Sequence, residues 1–266
     1  MQLTQKKSRR GDLLTAAAVA MLLAVMAALL YTGSLTRQVT NMLIPTAVYI
    51  VMAVSLNLVV GLLGELSLGH AGFMSVGLFS GCLVAIALAN TALPLMVRLP
   101  VSMLAGGLTA AVFGLLVGLP TLRLRGDYLA IVTLACGEII KNIITNLRVT
   151  GGALGLNTTA IYAGAKELLP YGAALVLLTV AVMLNLKRSK YGRAIMAIRD
   201  NRIAAESVGL SVTRYKLAVF VIAAFFAGCA GVLYGHSLAN IKAAAFDYNM
   251  SIEILVIVVL GGMGSV

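Results

Sequence analysis

Long apolar runs recur along almost the whole of this 266-residue chain and constrain its fold more than any other feature. A helix that crosses about 30 Å of hydrocarbon needs about 20 residues. The sequence therefore predicts eight membrane-spanning helices, near residues 13–31, 39–60, 72–93, 99–119, 127–147, 170–186, 216–239 and 251–266. Since 61% of the residues are hydrophobic and 11% charged, we expect an all-α, polytopic helical bundle with a single transmembrane domain over residues 1–266.

The first and last of these runs differ from the others. The run at 13–31 follows a basic segment, as a signal peptide does. Its uncharged stretch from Leu13 to Tyr31 exceeds a usual signal core, so we expect a retained helix. The run at 251–266 covers only about 24 Å at 1.5 Å per residue, and we expect a truncated C-terminus.

Basic residues are unequally divided between alternate loops, which predicts orientation because basic flanks remain on the cytoplasmic side. With the N-terminus in the cytoplasm, fourteen of the 20 lysines and arginines fall on that side. They are Lys6, Lys7, Arg9, Arg10, Arg123, Arg125, Lys187, Arg188, Lys190, Arg193, Arg199, Arg202, Arg214 and Lys216. The other six are Arg37, Arg98, Lys141, Arg148, Lys166 and Lys242. We therefore expect a cytoplasmic N-terminus and a large cytoplasmic loop at about 187–216.

The formal net charge of +11 indicates contact with the anionic headgroups of a lipid bilayer. Nucleic acid is not an expected partner, because the basic residues lie between apolar runs without aromatic reading motifs. Cys82, Cys136 and Cys229 are odd in number and lie inside apolar runs, which predicts small buried side chains. We expect no disulfide framework, no metal site and no cofactor.

Three apolar runs carry small residues at every fourth position, which places them on one helix face. The stripes are Gly77, Gly81, Ala85 and Ala89; Gly106, Ala110, Gly114 and Gly118; and Ala223, Ala227, Gly231 and Gly235. Small residues let helix backbones approach closely in lipid, where no hydrophobic effect draws helices together. These stripes predict helix-packing faces.

The segment GLLGELSLGHAGF at 61–73 combines four glycines with Glu65, Ser67 and His70. Irregular backbone at membrane depth requires protein or a wet cavity to satisfy its polar groups. One interpretation is a broken or re-entrant segment that lines a transport path. The other is a tight cytoplasmic turn in which Glu65 and His70 are solvated.

Glu138 lies deep in the apolar run at 127–147, where an unpaired carboxylate costs about 3 kcal/mol. Lys141, three residues on, can share its face and form a structural pair. A contact with a transported substrate is the alternative interpretation. Thr133, on the same predicted helix, is a further candidate for the translocation path.

The polar stretch YGRAIMAIRDNRIAAESVGLSVTRYK at 191–216 predicts two short helices. Asp200 and Asn201 are favourable N-caps, and Gly209 is a residue typical of the position after a helix end. Ala204, Ala205 and Val208 share a face by their spacing, flanked by Arg202 and Glu206. Helices that lie on lipid carry larger apolar residues, so this face is predicted to bind protein.

Five segments together resemble one family, the inner-membrane permease subunits of ABC importers for branched-chain amino acids, of the LivM type. They are GELSLGHAGFMSVG at 64–77, LRLRGDYLAIVTLACGEIIKN at 122–142, TGGALGL at 150–156, YGRAIMAIRDNRIAAESVGLSVTRYKLAVFVIAAFFAGCAGVLYG at 191–235 and GGMGSV at 261–266. The segment at 191–235 is the most specific of these. Family members usually have Gln where this chain has Glu65, and they continue by one or two helices beyond the GGMGS motif.

The resemblance implies that residues 193–209 include the loop that docks on an ATP-binding subunit. The implied coupling residues are Arg199, Asp200, Ala204, Ala205, Glu206, Val208 and Gly209. It also implies two ATPase subunits, a paralogous permease, an extracytoplasmic substrate-binding protein and a bacterial plasma (inner) membrane. The chain itself carries no GxxxxGK[ST] phosphate loop, so ATP hydrolysis is expected elsewhere.

The function expected from the resemblance is inward transport of branched-chain amino acids, with no covalent chemistry. Urea and short-amide permeases share the scaffold and are the first alternative. A proton-coupled secondary carrier that uses Glu65, His70 and Glu138 is a more distant one. A membrane-embedded enzyme is disfavoured, because no nucleophile-base or metal-ligand spacing is present and the chain has 2 histidines.

Overall fold

The computed structural model describes residues 2–33, 35–89, 91, 94–124 and 126–262, with side chains described from residue 17 onward. These residues form a helical bundle. Its α-helices are α1 (Gln2–Tyr31), α2 (Arg37–Asn57), α3 (His70–Ala89), α4 (Leu95–Thr121), α5 (Asp127–Asn146), α6 (Ala165–Arg188), α7 (Lys190–Asp200), α8 (Arg202–Ser207), α9 (Val212–His236) and α10 (Tyr248–Gly261). A π-helical segment, Leu58–Leu63, continues α2.

Seven helical segments of the described chain are long and apolar enough to cross a membrane. They confirm the all-α, polytopic prediction and match seven of the eight predicted spans. The predicted span at 13–31 begins outside the residues whose side chains are described; the apolar part of α1 that is described is Ala17–Tyr31. The last span is Ala243–Gly261, so the predicted start at 251 was too late. Residues 263–266, which include most of GGMGSV, lie outside the described residues.

Helices α3, α4 and α9 pack closely along the predicted stripes of small residues. A Cβ atom on Gly77 would overlap the backbone of Gly228, and one on Gly106 would overlap the carbonyl of Gly77. A Cβ on Gly231 would overlap the carbonyl of Met74. The stripes are therefore confirmed as packing faces, since only glycine allows the backbones to approach this closely.

Successive spans run in opposite directions, which gathers the connecting segments at two ends. One end, which we name the basic end, carries residues 64–69, 122–124, 126 and 189–211. It holds Arg123 and the eight basic residues between 187 and 216, whereas Arg125 lies outside the described residues. The opposite end carries residues 32–33, 35–36, 147–164 and 237–247. The structure therefore places the two predicted groups of loops at different ends of the bundle.

The opposite end is an ordered layer. Strand β1 (Leu156–Asn157) pairs antiparallel with β2 (Asn240–Ile241), with Leu156 opposite Ile241. The backbone N–H of Thr158 donates to the carbonyl of Ala239 at 3.0 Å. These bonds join the connections that follow α5 and α9 into one cap. Cys82, Cys136 and Cys229 are free. Cys82 and Cys229 are buried as predicted, whereas Cys136 is only partly buried.

Candidate functional site

The polar stretch at the basic end forms the two short helices predicted for it, α7 and α8. Ser189 caps α7, since its Oγ accepts a hydrogen bond from the backbone N–H of Gly192 at 3.0 Å. Asn201 caps α8 by accepting from the N–H of Ala204 at 3.0 Å. Asp200, the other predicted N-cap, is instead the last residue of α7.

Gly209 ends α8 in the left-handed conformation, with φ of +85°. Its N–H donates to the carbonyl of Glu206 at 3.0 Å, and the N–H of Leu210 donates to that of Ala205 at 3.1 Å. Such paired bonds satisfy carbonyls that a helix end leaves without partners. The predicted helix-ending role of Gly209 is confirmed.

The prediction that Ala204, Ala205 and Val208 share one outward face is wrong for Ala205. Ala205 is only 3% exposed, because its side chain belongs to a small core with Ile198 and Val212 that holds α7, α8 and α9 together. Ala204 and Val208 are exposed as expected, and Val208 is 75% exposed. Ile203, which sequence analysis did not select, is 80% exposed. Ile203 and Ala204 on α8 and Val208, which directly follows it, are exposed apolar residues, which we name together the α8 surface.

Two charged pairs border the α8 surface. Arg202 Nε donates to Glu206 Oε1 at 2.8 Å, one helical turn further along the chain. Arg199 donates to Asp200 Oδ1 from Nε at 3.3 Å and from Nη2 at 3.2 Å. Arg199 also donates from Nη1 to the carbonyl of Gly61 at 3.0 Å, so this arginine points toward the end of α2.

The segment at 61–73 is a break between two spans. The π-helical segment Leu58–Leu63 is ended by Gly64, which has φ of +76°. Residues 65–69 have no regular structure, and α3 begins at His70. Ser67 and His70 are buried, so the interpretation of a solvated turn is wrong for His70.

Glu65 forms an ion pair with Lys216, the fifth residue of α9. Both side chains are largely buried, which also contradicts the expectation of a solvated Glu65. Sequence analysis counted Lys216 only among the loop charges. The sequence feature that could have predicted this pair is the position of Lys216 inside an apolar run, where a lysine needs a partner.

The break is held by polar contacts to several helices. His70 Nε2 lies 2.8 Å from Ser55 Oγ on α2. Thr133 Oγ1 on α5 accepts from the backbone N–H of Leu68 at 3.0 Å, and Ser251 Oγ on α10 accepts from that of Ala71 at 3.2 Å. The structure thus brings four of the predicted path residues to the break: Glu65, Ser67, His70 and Thr133.

Glu138 does not join this group. It forms an ion pair with Lys141, and its Oε1 accepts from the backbone N–H of Tyr248 at 3.0 Å. The interpretation as a structural pair is therefore supported by the geometry. In addition, the carboxylate stabilises the first turn of α10, where unbonded N–H groups favour a negative charge.

A polar cavity of about 130 Å³ lies toward the opposite end of the bundle, among α2, α9 and α10. It is lined by Tyr49, Tyr234, Ala245, Phe246, Asp247, Asn249, Met250 and Glu253. Tyr49 Oη donates to Glu253 Oε2 at 3.4 Å, and Asp247 caps α10 by accepting from the N–H of Met250 at 3.2 Å. Within the described part of the chain, neither the carboxylate of Asp247 nor that of Glu253 has an ion-pair partner.

Sequence analysis did not select this cavity. The available signal was Glu253 itself, since an ionisable residue in an apolar run is a candidate functional residue. Its exposed position in α10 requires a neighbouring protein surface or a wet space rather than lipid.

Comparison with known proteins gives consistent results. Residues 38–266 match the family described as branched-chain amino acid transport system / permease component. The high-affinity branched-chain amino acid transport system permease protein LivM of Salmonella typhimurium is 38% identical over 259 residues, and that of Escherichia coli is 38% identical over 253. Each alignment covers 83% of this chain and 57% of the relative.

A probable branched-chain amino acid transport permease protein LivM of Methanocaldococcus jannaschii is 30% identical over 168 residues, covering 59% of this chain and 49% of the relative. The chain thus spans about half the length of these relatives. No solved structure matches it.

Proposed function

The chain belongs to the family of permease components of branched-chain amino acid transport systems, and from this premise we propose that it is the transmembrane subunit of an ATP-driven importer of branched-chain amino acids. It is a multi-pass protein of the inner membrane. We propose that it works with two ATP-binding subunits, a paralogous permease and an extracytoplasmic substrate-binding protein. The basic end then lies in the cytoplasm, together with the N-terminus.

The observation that carries this proposal is the α8 surface. Ile203 and Val208 project from a polar loop that is built from two capped helices and a core of its own. Large apolar side chains exposed beyond a membrane span indicate contact with another protein. The rigid loop and its bordering charges suit a surface that receives force from an ATPase subunit.

The cavity at the opposite end supports an amino acid as the substrate. An amino acid carries an ammonium group, and the carboxylates of Asp247 and Glu253 supply negative charge for it. The rings of Tyr49, Tyr234 and Phe246 offer apolar contact for an aliphatic side chain. We propose that the substrate meets this cavity on its way from the binding protein, before it reaches the break that carries Ser67, His70 and Thr133.

The alternative functions gain less support. Urea and short amides are uncharged and need no pair of carboxylates. A proton-coupled carrier needs acidic groups that exchange protons, but Glu65 and Glu138 are each paired with a lysine. His70 contacts Ser55, and no hydrogen bond among the described residues joins it to Glu138.

The α8 surface is tested by replacing Val208 with Asp in the full-length protein and co-purifying the ATPase subunits. A charge placed without a partner in a buried interface costs several kcal/mol, and we expect loss of docking and of uptake. Val208→Leu is the matched control and should retain both. Ala205→Asp is not a suitable variant, because Ala205 lies in the internal core of the loop. Normal docking and uptake by Val208→Asp would refute this surface.

A further inference from the structure

We propose that Arg199 and the Glu65–Lys216 ion pair form a clamp that transmits displacement of α7 and α8 to the break between α2 and α3. These three residues would act as positioning residues for transport. The inference rests on the proposed function, because the displacement is attributed to an ATPase that docks on the α8 surface.

The first half of the clamp is Arg199. Its Nη1 donates to the carbonyl of Gly61 at 3.0 Å, near the C-terminal end of the π-helical segment, where carbonyls lack helical partners. Its Cγ and Cδ atoms lie so close to Gly64 that a Cβ on this glycine would meet Cγ at 2.6 Å. A motion of α7 therefore pushes or pulls directly on the backbone at 61–64.

The second half is the ion pair between Glu65 and Lys216. Lys216 lies at the start of α9, immediately after the loop, whereas Arg199 lies near the end of α7. Both ends of the segment that contains α8 are thus fastened to residues 61–65. A force applied to the α8 surface has two parallel contacts through which it reaches the break.

The backbone of the break between α2 and α3 has features that favour more than one conformation. A π-helical stretch is rare and is frequently found at functional sites. Residues 65–69 form no regular structure, so they bend without loss of helical hydrogen bonds. The hydroxyl of Ser67 and Oε2 of Glu65 are buried without a hydrogen-bond partner among the described residues. A second arrangement in which these groups found partners would recover the cost of leaving them unsatisfied.

Stability alone is a weak reason for the ion pair. Burying the pair removes two charges from water, and this desolvation cost offsets much of the Coulomb attraction between them. Apolar residues of similar volume often replace a buried ion pair without loss of stability. The best-attested roles of a buried ion pair are to fix the register of packed segments or to act in a conformational switch. The position of Glu65, between the end of a π-helix and Ser67, suits such a role.

The test uses the complete complex of full-length subunits in proteoliposomes, with Cys82, Cys136 and Cys229 replaced and Ser67→Cys introduced. Two variants break the clamp: Arg199→Met, and the double variant Glu65→Leu with Lys216→Leu, which leaves no unpaired charge. The charge-reversed double variant Glu65→Lys with Lys216→Glu tests rescue. Arg193→Met is the control, since Arg193 lies on α7 and its Nη1 donates to the nearby carbonyl of Arg188.

Two quantities are measured: amino acid taken up per ATP hydrolysed, and the rate at which N-ethylmaleimide labels position 67 with and without trapping by ATP and vanadate. Trapping should change the labelling rate in the parent and in Arg193→Met. In both clamp-breaking variants, ATP hydrolysis should persist, while uptake per ATP falls about tenfold and the labelling change disappears. The charge-reversed variant should recover much of the coupling.

Unchanged uptake per ATP and unchanged labelling response in both clamp-breaking variants would overturn the inference. Should the double variant fail to assemble with the ATPase, the Arg199→Met variant decides by the same two readouts. A parent complex whose labelling responds to ATP but which takes up no leucine, isoleucine or valine would instead refute the proposed substrate. The labelling readout needs no substrate, so the two failures are distinguishable.

Discussion

Glu138 accepts a hydrogen bond from the backbone N–H of Tyr248 at 3.0 Å, so a carboxylate within α5 fixes the start of α10, 110 residues later in the chain. The same carboxylate pairs with Lys141. One side chain thus neutralises a lysine at membrane depth and orients the helix that carries Asp247 and Glu253 to the cavity.

Replacing Glu138 with Leu should destabilise the fold, because it leaves Lys141 without its counter-ion and removes the acceptor for Tyr248. We expect a loss of about 2–4 kcal/mol, since breaking one side of a largely desolvated pair leaves an uncompensated charge. Thermal unfolding in detergent measures it. Glu138→Leu combined with Lys141→Leu should recover part of the loss. Equal stability of Glu138→Leu and the parent would show that the pair contributes nothing.

The proposed orientation predicts opposite labelling of two exposed positions. Leu154 is 82% exposed at the opposite end, and Val208 is exposed at the basic end. In a background without native cysteines, an impermeant maleimide added to intact cells should label Leu154→Cys and leave Val208→Cys unlabelled. Permeabilised cells from which the ATPase subunits have been stripped, so that Val208 is uncovered, should show labelling at both positions. Labelling of Val208→Cys from outside would invert the orientation.

Removing the charge of Glu253 should weaken uptake if the cavity receives the ammonium group. Glu253→Gln keeps the shape of the side chain, and a lost charge-assisted contact is worth about 1.5–3 kcal/mol. We expect the concentration for half-maximal uptake to rise about tenfold or more, with ATPase docking unchanged. Glu167→Gln, at the exposed start of α6, is the control. A normal concentration dependence in Glu253→Gln would exclude the cavity from substrate recognition.

Local patterns were sufficient to predict much of the fold. Seven spans followed from hydropathy and length, since a bilayer requires an uninterrupted apolar helix. The glycine stripes followed from spacing, because residues four apart share a face, and Gly77 and Gly106 meet as such stripes require. The caps of α8, Asn201 and Gly209, followed from the chemistry of their side chains and backbones.

Contacts between distant parts of the chain could not be predicted from local patterns. Ala205 on α8 and Val208 just after it are three residues apart, and spacing alone does not show which side the neighbouring Ile198 and Val212 will cover. The pairing of Glu65 with Lys216 joins residues 151 positions apart. The π-helical segment before Gly64 resembles ordinary helix in sequence, because its apolar residues suit both geometries. The cavity combines residues from three helices, so no single motif marked it.

ATP-dependent uptake of labelled leucine, isoleucine and valine is the most direct test of the proposed function. The full-length protein is reconstituted in proteoliposomes with its ATPase subunits, its paralogous permease and each candidate binding protein in turn. We predict uptake of at least one of the three amino acids, dependent on ATP, with no comparable uptake of ribose or urea. Transport of ribose or urea at a comparable rate, or uptake of the amino acids driven by a proton gradient without ATP, would contradict it.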